Sequence, residues 1–207
     1  MRRQIISGVL GGIEETMKVV LIGYRATGKS TVGRILAGKL KINFWDTDAM
    51  VEESMEMPIK EIVAHYGWDY FRVKERDTIK FLAQKRACVI ATGGGVVLFQ
   101  ENIDLLKRNA GLQKQATVII WLNAPLHDII DRLKKDAQSS ATRPQFTAGN
   151  IVKETTDIME QRFPLYEKAA DYIVDTADKN AEQVAEEIHQ YLRKSGILDK
   201  VKKSEIG

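Results

Sequence analysis

Residues 17–31 read MKVVLIGYRATGKST, and their interpretation sets the fold. An apolar run of strand length, Val19–Gly23, enters a glycine-bounded turn, and Val32, Ile35, Leu36 and Leu40 then fall on one helical face. Inside this stretch, GYRATGKS (23–30) satisfies G-x-x-x-x-G-K-[ST] in the strand–loop–helix context that gives the motif its meaning. Backbone N–H groups from Thr27 through Ser30 can wrap phosphates there, aided by the positive end of the helix dipole. Gly28 permits close approach, Lys29 reaches the terminal phosphates, and the Ser30 hydroxyl suits Mg²⁺. Ala26 and Thr31 flank the cradle and complete the nucleotide-binding set.

Outward from this unit, apolar runs recur at Ile42–Trp45, Cys88–Ala91, Val118–Leu122 and Tyr172–Val174. Helical spacing separates them, as at Val184, Ile188, Tyr191 and Leu192. Alternating strand and helix predicts an α/β fold: a five-stranded parallel sheet in a three-layer α/β/α arrangement. Ligands of such sheets bind beyond the carboxyl ends of the strands. Two segments depart from simple alternation. Residues 48–85 form a large, helical insertion, and 136–149, DAQSSATRPQFTAG, read as a mobile loop. The single domain is expected over 17–193, after a flexible extension at 1–16 and before a charged tail at 194–207.

The 207 residues, 44% hydrophobic and 29% charged, have the composition of one ordinary globular domain. A net charge of +3, with bases and acids interleaved, gives no electrostatic footprint for nucleic acid. No run approaches the ~20 apolar residues of a membrane span. The lone cysteine, Cys88, sits in an apolar run, reads as a small buried hydrophobe, and points to a reducing cytoplasm. His65, His127 and His189 are far apart with no metal-ligand spacing and read as structural.

A phosphate loop identifies a donor but not an acceptor. The guanine-reading N-K-x-D and the D-x-x-G switch are both missing, and the third run ends Ala91–Thr92–Gly93 without a Mg²⁺-holding acid. Small-metabolite kinases therefore gain over GTPases and motor ATPases. The second run ends WDTD, with Asp46 and Asp48 two apart, so on an extended segment both carboxylates would face the cleft. One could serve Mg²⁺ and the other a substrate hydroxyl; alternatively Thr47 or Asp48 caps a helix over Ala49–Ser54. Arg72 follows two aromatics, Tyr70 and Phe71, which suggests a guanidinium held by packed rings, with Glu75 near enough on a helix to orient it. Arg162 precedes Pro164. Each arginine suits a carboxylate, yet read alone each is also an ordinary surface charge. Gly93–Gly95 form either a turn needing positive φ or a side-chain-free floor.

Taken together, G-x-x-x-x-G-K-S-T, D-T-D, F-R-x-x-E, G-G-G, R-P, R-x-x-L-Y and A-D-x-x-V-D-T follow the order and spacing of the shikimate kinases. The chain resembles that family from about Lys18 to Asp175. The resemblance implies a P-loop fold of the nucleoside-monophosphate-kinase type with a mobile lid. It also implies transfer of the ATP γ-phosphate to the 3-hydroxyl of shikimate by a cytoplasmic monomer. On it, Asp48 binds shikimate hydroxyls and acts as base, Arg72 and Arg162 grip the carboxylate, and Gly94 contacts substrate through its backbone. Asp46 sits near Mg²⁺, and Arg143 closes over the ATP phosphates from the 136–149 lid. Ala26, Trp68 and Gln145–Phe146 depart from the family's usual residues, and the lid lacks a second arginine just before Arg143. The alternatives are another small-metabolite kinase, such as a gluconate kinase, and a non-catalytic ATP-binding regulatory protein.

Overall fold

Six buried residues, Met17–Ile22, form the central strand β1 of a computed structural model that describes residues 17–108, 116–139 and 151–198. Strand β1 pairs with β3 (Cys88–Ala91) on one side and β4 (Ala116–Asn123) on the other. The outer strands are β2 (Asn43–Asp46) and β5 (Tyr172–Asp175), giving the order β2-β3-β1-β4-β5, parallel throughout. All five expected strands are present.

The alternation of side chains along β1 explains the layers. Val19 and Leu21 face a core closed by α1 (Lys29–Leu40) and α7 (Ala181–Lys194), through Val32, Leu36, Val184 and Ile188. Val20 and Ile22 face the opposite core, under α3 (Ile59–Ala83), α4 (Gln100–Lys107) and α6 (Ile151–Ala169). A strand covered on both faces must be apolar on both, which is why β1 reads as a continuous run. Each fully buried aliphatic side chain here contributes about 1.5–3 kcal/mol. A reciprocal capping box between Asn180 and Gln183 starts α7.

One residue of β1 breaks the apolar rule. Lys18 is wholly buried, and its Nζ donates to the carbonyl of Ala83 over 2.8 Å, at the carboxyl end of α3. Burial lowers its pKa, while the helix end supplies the partial negative charge that makes the position tolerable. Cys88, its register partner on β3, is buried as expected, and burial pushes its thiol up to about 11.

The insertion consists of α2 (Thr47–Met55) and α3, which pack on each other around their own small core of Val51, Ile59, Ile62 and Phe71. Helix α3 bends at Gly67, whose φ of 81° and ψ of 169° fit no helix. Two boundary expectations change. The first four residues of the 136–149 stretch continue helix α5 (Leu126–Ser139). Beyond α7, Ile197 and Leu198 pack on the first core, so the tail beginning at 194 is not uniformly a charged, solvated segment. Residues 1–16 and the rest of the tail, like most of the expected lid, lie outside the described residues. No helix among the described residues is long and apolar enough to cross a membrane.

Candidate active site

The phosphate loop leaves β1 at Gly23, where φ is 139° and a Cβ would come within 2.6 Å of the Leu122 carbonyl oxygen. Only glycine fits both constraints. Its neighbour's carbonyl then organises the loop: Tyr24 O accepts from Thr27 Oγ1 at 2.9 Å and from Lys29 Nζ at 2.6 Å. Ala26 adopts φ 64°, and Arg132 of α5 holds its carbonyl at 3.1 Å. Gly28, at φ 90°, is the N-cap of α1, so the following amides point outward from a helix start. Thr31 is exposed on the first turn.

Ser30 Oγ donates to Asp46 Oδ2 over 2.5 Å. The other Asp46 oxygen accepts from the amides of Asp48 and Ala49, so Asp46 itself caps α2. The cap is therefore neither Thr47 nor Asp48. The same-side argument for the two carboxylates fails as well, because Asp46 ends β2 while Asp48 already lies in the first turn of α2. The chain turns between them, sending Asp46 towards the phosphate loop and Asp48, 8% exposed, into a separate pocket.

That pocket, with ≈ 450 Å³ of empty space, adjoins the phosphate loop and is walled by Asp48, Arg72, Glu75, Arg162 and the glycine run. Its lining combines aromatic rings with a few convergent charged groups, the make-up of a small-molecule site. Arg72 Nη1 lies 2.8 Å from Glu75 Oε2, as the i,i+3 spacing leads one to expect. The aromatics that hold its guanidinium are Phe71 and Trp68, with ring centroids at 5.2 Å and 5.5 Å. Tyr70 does not take part; it packs instead against Tyr66 at 4.8 Å. Burial raises the Glu75 pKa, opposed by the charge and hydrogen bond of Arg72 and reinforced by Asp48. Glu75 Oε1 is buried without a hydrogen-bond partner among the described residues.

Arg162 Nη1 donates to the Gly94 carbonyl over 3.0 Å, and the Tyr166 hydroxyl donates to the same oxygen over 2.5 Å. Four residues apart on α6, these two side chains share a face. Burial also pushes the Tyr166 phenol well above its ordinary pKa, keeping it a donor. Both arginines are thus pocket residues, with side chains too enclosed to be the surface charges that either would be when read alone.

The glycine run is a floor, not a strained turn. None of Gly93, Gly94 and Gly95 has positive φ; that of Gly95 is −98°. A Cβ on Gly93 would lie 2.6 Å from Asp48 Oδ1 and 2.7 Å from Glu75 Oε1, and one on Gly95 would collide with the Arg72 guanidinium. At Gly94 a Cβ would approach the Arg25 amide nitrogen to 3.2 Å. Space rather than backbone conformation favours glycine here, since a Cβ at Gly93 or Gly95 would displace the pocket's own charged side chains. Gly93 N–H donates to Thr47 Oγ1 over 2.9 Å, pinning the floor to the start of α2.

Lys29, Ser30, Asp46, Asp48, Arg72, Gly94 and Arg162 are therefore gathered along one edge of the sheet. Arg143 lies outside the described residues. The three histidines fall on three helices, α3, α5 and α7. Sequence reading passed over Arg25, Trp68, Thr47 and Tyr166 as parts of the site. Tyr166 had a signal, the i+4 spacing from Arg162; Arg25 occupies a variable position of the loop motif and had none.

A phosphate loop at a sheet edge, beside a pocket bearing a carboxylate and paired arginines, defines the class of P-loop kinases acting on a small anionic acceptor. Comparisons with known proteins narrow the class. The shikimate kinase family profile matches residues 25–193. The chain is 38% identical to the shikimate kinase of Syntrophus aciditrophicus, over 82% of this chain and 88% of that protein. It is 41% identical to that of Nitratidesulfovibrio vulgaris, over 77% and 87%. Among solved structures, the Acinetobacter baumannii shikimate kinase in complex with shikimate superposes with a TM-score of 0.79 at 28% identity, covering 88% of this chain and 96% of that one. The chain belongs to the shikimate kinase family.

Proposed function

We propose that this chain transfers the γ-phosphate of ATP to the 3-hydroxyl of shikimate, giving ADP and shikimate 3-phosphate. The observation that carries the reading is the convergence of Asp48, Arg72 and Arg162 on one glycine-floored pocket beside the phosphate loop. Two guanidiniums complement a carboxylate, and Asp48, in the same pocket, takes the proton of the attacking hydroxyl. Gly94 offers backbone contact to the ring. Lys29, released from the Tyr24 carbonyl, steadies the phosphoryl group, and the helix start behind Gly28 adds backbone donors. By resemblance alone, Arg143 adds charge on the donor side.

The residues present fit Mg²⁺. The Ser30 hydroxyl and the Asp46 carboxylate are adjacent hard oxygen donors at the mouth of the loop, the donor set such an ion takes alongside phosphate oxygens and water. When bound, the ion neutralises charge on the β and γ phosphates. The single, buried Cys88 suits a reducing cytoplasm, and the reading takes the enzyme to work as a monomer.

A coupled assay of ADP release, run with shikimate beside gluconate, tests the proposal. Shikimate-dependent turnover at least ~100-fold above that with gluconate is expected, as for a site built to pair a substrate's polar groups. Equal rates, or ATP binding without turnover, would sink it.

A further inference from the structure

The two arginines suited to a carboxylate are not the only cations at the acceptor pocket. Arg25 lines it too, from the phosphate loop. Its guanidinium carbon lies 5.7 Å from the Tyr24 ring centroid, and its Nη2 lies 3.4 Å from Oε1 of Glu154, in the first turn of α6. The Arg25 and Glu154 side chains are only 11% and 2% exposed. The backbone of Arg25 abuts Gly94, the centre of the floor. This is a held guanidinium on the seam between donor loop and acceptor floor, not a surface charge.

Its position raises a question of charge. Arg72 and Arg162 suit the acceptor carboxylate, whereas Arg25, its charge offset by Glu154, stands on the loop that carries the donor phosphates. What the pocket acquires during reaction is a phosphoryl group. Resting on the shikimate kinase reading, we propose that Arg25 is a further catalytic residue, one that binds the phosphoryl group as it reaches the acceptor oxygen and holds it in the product. In the step, the bond from the γ phosphorus to the ADP oxygen breaks and a bond to the acceptor oxygen forms. The hydroxyl proton goes to Asp48, and Arg25 stays protonated while donating N–H bonds to the phosphoryl oxygens. A guanidinium carries five donors in a planar fork, so contact with Glu154 through one end is compatible with phosphate contact along another edge. Glu154 is the positioning residue for Arg25.

The inference separates Arg25 from Arg72 by what each recognises: Arg72 reads substrate and product alike, whereas Arg25 discriminates between them. Purified wild type, Arg25→Met and Arg25→Lys are compared by steady-state kinetics and by titration with shikimate and with shikimate 3-phosphate. For Arg25→Met the expected result is a 3-phosphate affinity lower by about 30-fold, a shikimate affinity changed less than about 3-fold, and a kcat lower by about 10- to 100-fold. Arg25→Lys, which keeps a point charge but not the fork, should fall between the two. Equal loss of affinity for both ligands, or loss for neither, would overturn the inference while leaving the shikimate reading intact. If Arg25→Met does not fold, Arg25→Lys decides by the same ratio of affinities. Wild type without shikimate-dependent ADP release would overturn both.

Discussion

The phosphate loop and the acceptor pocket share Tyr24 and Arg25 but are built on opposite plans. The loop is a short continuous stretch whose shape comes from backbone conformation: positive φ at Gly23, Ala26 and Gly28, and one carbonyl, Tyr24 O, collecting two side chains of the same loop. The pocket is assembled from the loop, α2, α3, the turn after β3, and α6, and is held by side chains. Its cohesion comes from the Arg72–Glu75 ion pair, the rings of Phe71 and Trp68, and the donors that α6 sends to Gly94. The difference teaches where each is vulnerable. Loop changes should act through backbone strain, and pocket changes through charge and hydrogen bonding, felt by the acceptor more than by ATP.

The sharpest way to break this division is at Asp48. Asp48→Asn keeps the shape and removes the base, so kcat should fall about 10²–10⁴-fold with the shikimate KM changed only a few-fold. A comparable fall in shikimate affinity would show that Asp48 mainly binds. Arg72→Ala comes next: loss of one partner of a buried charge pair predicts about 2–5 kcal/mol, appearing mainly as a raised KM for shikimate with the ATP KM unmoved. Unchanged shikimate kinetics would remove Arg72 from the site.

Glu75→Gln should have a smaller effect, about 1.5–3 kcal/mol in shikimate KM, because Arg72 loses a charge-assisted partner but keeps its aromatic supports. The same variant tests the raised Glu75 pKa. Between the ordinary glutamate value, about 4.3, and its raised value, the native state holds more protons than the unfolded state. Stability contributed by Glu75 is therefore complete below that window and is lost as pH rises through it. The stability of wild type relative to Glu75→Gln should accordingly decline with rising pH, as followed by thermal unfolding. A difference that grows with pH would mean that Arg72 outweighs burial. The smallest effect belongs to the loop. Ala26 sits at φ 64°, where an L-residue is strained by about 1–2 kcal/mol, offset by the greater chain entropy of glycine. Ala26→Gly should raise stability by up to about 1 kcal/mol and leave the shikimate KM unchanged.

Legibility followed the same division. The phosphate loop could be read because strand, turn and helix are adjacent in sequence and the motif is local. Arg72 with Glu75 was legible for the same reason, at one helical turn. Asp46 and Asp48 were recognised as site residues, but their relation was misread: the Asp46 cap turns the chain between them, and an extended-segment argument cannot foresee a helix starting two residues early. The burial of Arg72 and Arg162 was hidden, since a charge on a helix looks alike whether it faces water or a pocket. Arg25 was hidden more deeply, because its partner Glu154 lies 129 residues away.

By itself, the sequence determined the donor loop, the five strands, the helical insertion and the set of residues from which a family resemblance could be drawn, because periodicity and motif spacing are local properties of a chain. Only the tertiary structure decided the strand order, the choice of Trp68 and Phe71 as the rings around Arg72, and the meaning of Gly93–Gly95. A glycine required for conformation and one required for space are the same letter. The atoms that a Cβ would strike, Asp48 and Glu75 at Gly93 and Arg72 at Gly95, arrive from elsewhere in the chain and exist as neighbours only once it has folded.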